Sequence, residues 1–119
     1  MSMNDTVDAK STRLGGTGMT MQLAACSTAI DTMPRAGGGS MITWRNPAGN
    51  FYSIRIYRGT TNILADASLI DTVTGGASGQ ISEYPDASAG TGTHYYWVRA
   101  ANVSGLESPA TGPVQITIA

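Results

Sequence analysis

The chain has 119 residues, the size of one ordinary domain and enough to bury a core without disulfides or a structural metal. Charged side chains make up only 13%, while Gly, Ala, Ser and Thr are abundant, a composition that points to β-structure rather than helix. Seven basic residues face eight acidic ones, and one Lys with six scattered Arg gives no phosphate-neutralising face, so nucleic acid is excluded as an expected partner. No apolar run approaches the roughly 20 residues that span a bilayer, and no export signal is legible, so no membrane is expected. Cys26 stands alone, which rules out an internal disulfide and a thiolate metal site and fits synthesis in a reducing cytoplasm.

In chain order, residues 1–18 hold few large apolar side chains and end in glycines, and they read as an extended arm held by a neighbouring subunit. Met19, Met21 and Leu23 alternate with Thr20 and Gln22, the period of a strand with one buried face, and form a candidate anchoring strand that pairs in its own sheet or in a neighbour's. Residues 31–39, with Pro34 and three glycines, read as a turn or loop. Residues 1–35 are accordingly assigned to the arm, with a possible added strand, and 36–119 to the folded body. A strand follows at Met41–Trp44, with Ile42 and Trp44 on one face and Pro47 ending it. In FYSIRIYR, residues 51–58, Tyr52, Ile54 and Ile56 are expected on one face and Ser53, Arg55 and Tyr57 on the other.

Asn62 is positioned to cap a single helical turn at Ile63–Ala65. Short strands are expected at Leu69–Val73 and Gln80–Tyr84, separated by the turn at Gly75 and Gly76. HYYWVRAAN, residues 94–102, is the clearest strand: His94, Tyr96, Val98 and Ala100 share one face, and Tyr95, Trp97 and Arg99 share the other. Ser104-Gly105 turns the chain into a last strand in which Val114, Ile116 and Ile118 alternate with Gln115 and Thr117. About seven short strands with turn signals every 8 to 12 residues describe an all-β antiparallel sandwich.

Over about residues 36–118 the ordered set ITW with Pro47, SIRIYRGTTN, YPD, YYWVRAAN, SGLES and VQITI resembles a fibronectin type III domain, an immunoglobulin-like β-sandwich. IYRGTTN and YYWVRAAN on a background of small residues are similar to fibronectin-type modules of tailed-bacteriophage structural proteins. The resemblance implies a tyrosine at the corner eight residues before Asn102. This chain has His94 there, with Asp86 as the turn-forming companion, and a ring nitrogen is expected to bond a backbone carbonyl. The resembled fold also places Arg55, Tyr57, Tyr95, Trp97 and Arg99 together on an outward face, a composition typical of protein interfaces and also able to stack on a glycan.

Catalysis has little to work with. His94 is the sole histidine, no serine lies in a nucleophile motif, and the carboxylates fall mostly in turns. Glu83 with Asp86 is a sparse set for calcium, and the glycine stretches at 15–18 and 75–79 lack the ending of a phosphate loop. Asn4 and Asn102 match the glycosylation pattern without a secretion signal to give it weight. The expectation is therefore a protein without enzymatic activity, cofactor or metal. It would be a virion component made in a host bacterial cytoplasm, with other virion proteins and copies of itself as partners and a host-surface glycan as a weak ligand. The tail, baseplate or fibre is favoured over capsid decoration. A carbohydrate-binding or spacer module of a bacterial surface or secreted protein is the alternative.

Overall fold

The structure is a computed structural model, and it describes residues 30–119. The extended arm, the candidate strand of Met19, Met21 and Leu23, and Cys26 lie outside the described residues. Seven strands form two antiparallel sheets: β1 (Asp31–Pro34), β2 (Ser40–Arg45) and β5 (Ile81–Asp86) in the order β1-β2-β5, and β3 (Ser53–Gly59), β4 (Ser68–Thr74), β6 (Gly92–Ala101) and β7 (Thr111–Ile118) in the order β4-β3-β6-β7. The described residues adopt the all-β, two-sheet sandwich expected from the strand spacing.

Period-two alternation builds the core between the sheets. Ile42 and Trp44 of β2 meet Ile54 and Ile56 of β3, Tyr96, Val98 and Ala100 of β6, and Ile116 of β7. Each large side chain so buried contributes roughly 1.5–3 kcal/mol. The Trp44 indole N–H donates to Asn46 Oδ1 at 2.9 Å, so the largest core ring carries no unsatisfied donor.

Three local expectations are corrected. Asp31–Pro34 is a strand, not a loop, because each of its residues pairs with β2, from Asp31 opposite Thr43 to Pro34 opposite Ser40. Tyr52 is 50% exposed, since β3 begins only at Ser53 and the alternation does not reach it. The helical turn is a 3-10 turn at Leu64–Asp66 capped by Ile63, with no side-chain cap from Asn62.

The β1–β2 turn depends on glycine. Gly39 has φ +80°, and a Cβ there would lie 2.2 Å from the Asp86 carbonyl oxygen. At the start of β7, Gly112 (φ +126°) sits where the β6–β7 register shifts between Tyr96 and Val98, and a Cβ would lie 2.6 Å from the Tyr96 carbonyl oxygen.

Candidate interaction face

The outward side of the four-stranded sheet collects the residues named from the sequence. In the β3–β6 ladder Arg55 stands opposite Arg99, Tyr57 opposite Trp97 and Gly59 opposite Tyr95. Two guanidinium groups directly across a ladder repel each other unless an anion lies between them. Glu107, which follows β6 and forms a single bridge with Ala101, supplies it. Its carboxylate accepts from Arg55 Nη1 at 3.0 Å, pairs with Arg99 Nη1 at 3.4 Å, and accepts the Tyr57 hydroxyl.

Burial pulls the Glu107 carboxyl upward, yet the bonds from Tyr57 and Arg55 and the charges of both arginines prevail and hold it below the usual carboxylate range. The Tyr57 hydroxyl is raised, first by burial and then by the bond to Glu107.

The loop that delivers Glu107 is fixed by Asn102. Its Oδ1 accepts from the Ser104 N–H at 3.1 Å, the Ser104 hydroxyl at 2.7 Å and the Leu106 N–H at 2.9 Å. The Asn102 side chain that matched a glycosylation pattern therefore organises a turn. At the other end of the loop the Ser108 hydroxyl accepts the Ala100 N–H at 2.9 Å, and Arg99 Nε donates to the Ser108 carbonyl at 2.9 Å. Arg99 is held from both sides.

The structure brings Arg55, Tyr57 and Arg99 together through Glu107, with Tyr95 half-buried further along the face. Trp97 departs from expectation: it lies on the predicted side but is only 3% exposed. The shifted start of β7 covers it, and a Cβ at Gly112 would stand 3.3 Å from the indole Cδ1. Trp97 is thus a support beneath the face rather than a contact on it. Sequence reasoning missed Glu107, fifty positions from Tyr57, and Leu69, which faces Tyr57 from β4 and is 48% exposed. No local pattern links residues so distant; the SGLES turn was the available signal for Glu107.

The corner residues behave differently. His94 Nε2 donates to the Gly90 carbonyl at 2.7 Å, the contact expected of a corner ring. Asp86, 1% exposed, accepts from the Ser88 N–H at 3.2 Å and the Ser88 hydroxyl at 2.7 Å, as a turn residue would. It also joins the two sheets. Tyr96 donates to Asp86 Oδ2 at 2.6 Å, Arg58 Nη1 donates to the same oxygen at 2.8 Å, and the Ser40 hydroxyl lies 2.6 Å from the Tyr96 hydroxyl. Burial raises the Asp86 carboxyl, but the bonds from Tyr96, Ser88 and Arg58 outweigh it and the net shift is downward. Burial and the bond to Asp86 push the Tyr96 hydroxyl well up. Glu83, three residues before Asp86 on β5, is exposed and on the opposite face, so the two do not converge on a cation.

No family model matches the chain, and no curated protein matches it. Solved structures do. A pectate lyase from Pectobacterium carotovorum superposes with a TM-score of 0.61 at 16% identity, over 76% of this chain and 26% of the other. A second structure of that enzyme gives 0.60 at 16% identity, over 72% and 26%. A pectate lyase from Erwinia chrysanthemi in complex with tetragalacturonic acid gives 0.54 at 18% identity, over 80% and 28%. The chain therefore spans about a quarter of the length of these neighbours. They overturn the expectation that excluded enzymes, because pectate lyases contain this fold. At such identities the likeness shows the fold alone and assigns no reaction to these residues.

Proposed function

We propose that the protein is a structural component of a tailed-phage virion: a fibronectin type III-like module, tethered by its N-terminal arm, that presents the outer face of β4-β3-β6-β7 to a protein partner. The division of strands into β1-β2-β5 and β4-β3-β6-β7, with a hydrogen-bonded ring at the corner position of β6, supports the fibronectin type III reading. The phage assignment is supported by the IYRGTTN and YYWVRAAN resemblance, with the tail side favoured. The observation that carries the binding role is the Arg55–Glu107–Arg99 cluster with Tyr57. Arginine and tyrosine are the residue types that dominate interface energetics, and here both are held in place before any partner arrives, which lowers the entropy lost on docking. Immunogold labelling of purified particles of the phage that carries the gene is the test: labelled particles are expected, and unlabelled ones overturn the assignment.

The second reading is a carbohydrate-binding or spacer module of a bacterial surface or secreted protein. It is favoured by the pectate lyase neighbours, one of them solved with a tetragalacturonate ligand. Nuclear magnetic resonance titration of the chain with tetragalacturonate decides for or against glycan binding. Unchanged Tyr57, Tyr95 and Arg99 resonances are expected on the first reading, and saturable shifts at these residues establish the glycan role.

A further inference from the structure

The outer face of the three-stranded sheet is the electrostatic counterpart of the face built around Glu107. Alternation turns Ile42 and Trp44 of β2 inward, so Met41, Thr43 and Arg45 point out. In the ladder Asp31 and Glu83 stand on either side of Thr43, and Met33 and Pro85 stand on either side of Met41. A carboxylate row therefore lies next to an apolar row, two residues away along the strands. Asp31 and Glu83 are both exposed, and neither joins an ion pair among the described residues. Met33 is 58% exposed. Arg45, one row beyond the carboxylates, donates to the Gly79 carbonyl at 2.7 Å.

The four-stranded sheet repeats this layout with the sign reversed. Arg55 and Arg99 form its charged row, and Tyr57 with Leu69 forms an apolar row two residues away. Two arginines and Glu107 give this face a net charge of +1, whereas Asp31, Glu83 and Arg45 give the other −1. Asp71 stands opposite the buried Ile56 and so belongs to the inner side of β4. The two layouts also run in the same direction. Arg58 reaches Asp86, which pairs with Ser40, so the end of β3 and the start of β2 share one end of the sandwich. On each face the apolar row is the one nearer that end.

We propose that the β1-β2-β5 face of one copy docks on the β4-β3-β6-β7 face of a second, with carboxylates over arginines and Met33, Met41 and Pro85 over Tyr57 and Leu69. The second copy is then the protein partner that the proposed function gives this face, and the proposal rests on that reading. Copies in one orientation, related by a shift, match both rows at once. A two-fold pairing would set arginine row on arginine row or carboxylate row on carboxylate row, which is repulsive. Because each copy keeps its other face free, the contact is heterologous and repeats into a ring or a filament. Three strands of six residues make a face of about 14 Å by about 20 Å, smaller than the roughly 800 Å² a side of a standard interface, so association builds with concentration.

The test is sedimentation velocity of the full chain over a range of concentrations, with two variants at exposed positions. Asp31→Lys/Glu83→Lys makes the first face basic, and Thr72→Glu/Gln115→Glu, beside Arg55 and Tyr95, gives the second a net negative charge. Near-ultraviolet circular dichroism checks that both variants keep the packed core. The wild-type chain is expected to form species that grow past the dimer as concentration rises. Either variant alone associates about ten-fold or more weakly, and an equimolar mixture of the two regains association. The proposal is overturned if the wild-type chain stays monomeric at every concentration, if its association stops at a dimer, if either variant associates as the wild type does, or if the mixture does not recover. A monomer found on labelled particles leaves the virion assignment standing with another protein on this face. The expected assembly with unlabelled particles removes the virion and keeps the self-contact.

Discussion

At the scale of single residues, two carboxylates hold opposite positions in the molecule. Asp86 is buried between the sheets and ties Arg58, Ser88 and Tyr96 together, whereas Glu107 sits on the outer face between Arg55 and Arg99. Tyr96→Phe removes a donor to Asp86 and leaves the buried Ser40 hydroxyl without its partner, so it is expected to cost about 1–3 kcal/mol in urea unfolding. Glu107→Gln leaves two facing guanidinium groups uncompensated; about 1 kcal/mol of stability is expected to disappear, with the β3–β6 strands still formed. Both carboxyls are lowered from ordinary values of 3.8 and 4.5. A lowered group releases its proton more readily folded than unfolded, so its contribution is complete above the unfolded value and is lost as pH falls through the folded one. Unfolding free energy should therefore be flat from neutral pH to about 5 and decline below 4.5, and the Glu107→Gln variant should show a shallower decline.

At the scale of elements, the turns decide more than the strands do. Gly37 and Gly39 both have positive φ, but a Cβ at Gly37 meets open space while one at Gly39 strikes the Asp86 backbone. Gly37→Ala is expected to cost about 1 kcal/mol and Gly39→Ala clearly more, as measured by paired chemical denaturation. The strands from β2 onward were legible because Ile42/Trp44, Ile54/Ile56 and Tyr96/Val98/Ala100 alternate cleanly. β1 was not, because DTMP has a mostly exposed pattern and a proline, and only pairing with β2 makes it a strand. Trp97 was placed on the correct side with the wrong exposure, since its cover comes from a register shift in β7 that no period predicts.

At the scale of the whole molecule, β1 joins the sandwich and so moves its boundary upstream of residue 36. A chain beginning at residue 30 is expected to melt several degrees above one beginning at Gly37, because the latter loses β1 and bares the edge of β2. Equal melting temperatures would mean that β1 contributes nothing. Alternation, turn residues and composition by themselves pointed to an all-β chain and set Ile42, Trp44, Ile54, Ile56 and Tyr96 on the inward sides of their strands, while the common outer face of arginine and aromatic side chains came from the resembled fold. These are properties of neighbours along the chain, and period-two geometry converts them directly into sides of a sheet. Only the tertiary structure decided that Glu107 neutralises that face and that Asp86 and Tyr96 clip the sheets together. Each of these depends on strands far apart in sequence being brought side by side, and the register that does so is set by the packed core as a whole rather than by any segment of it.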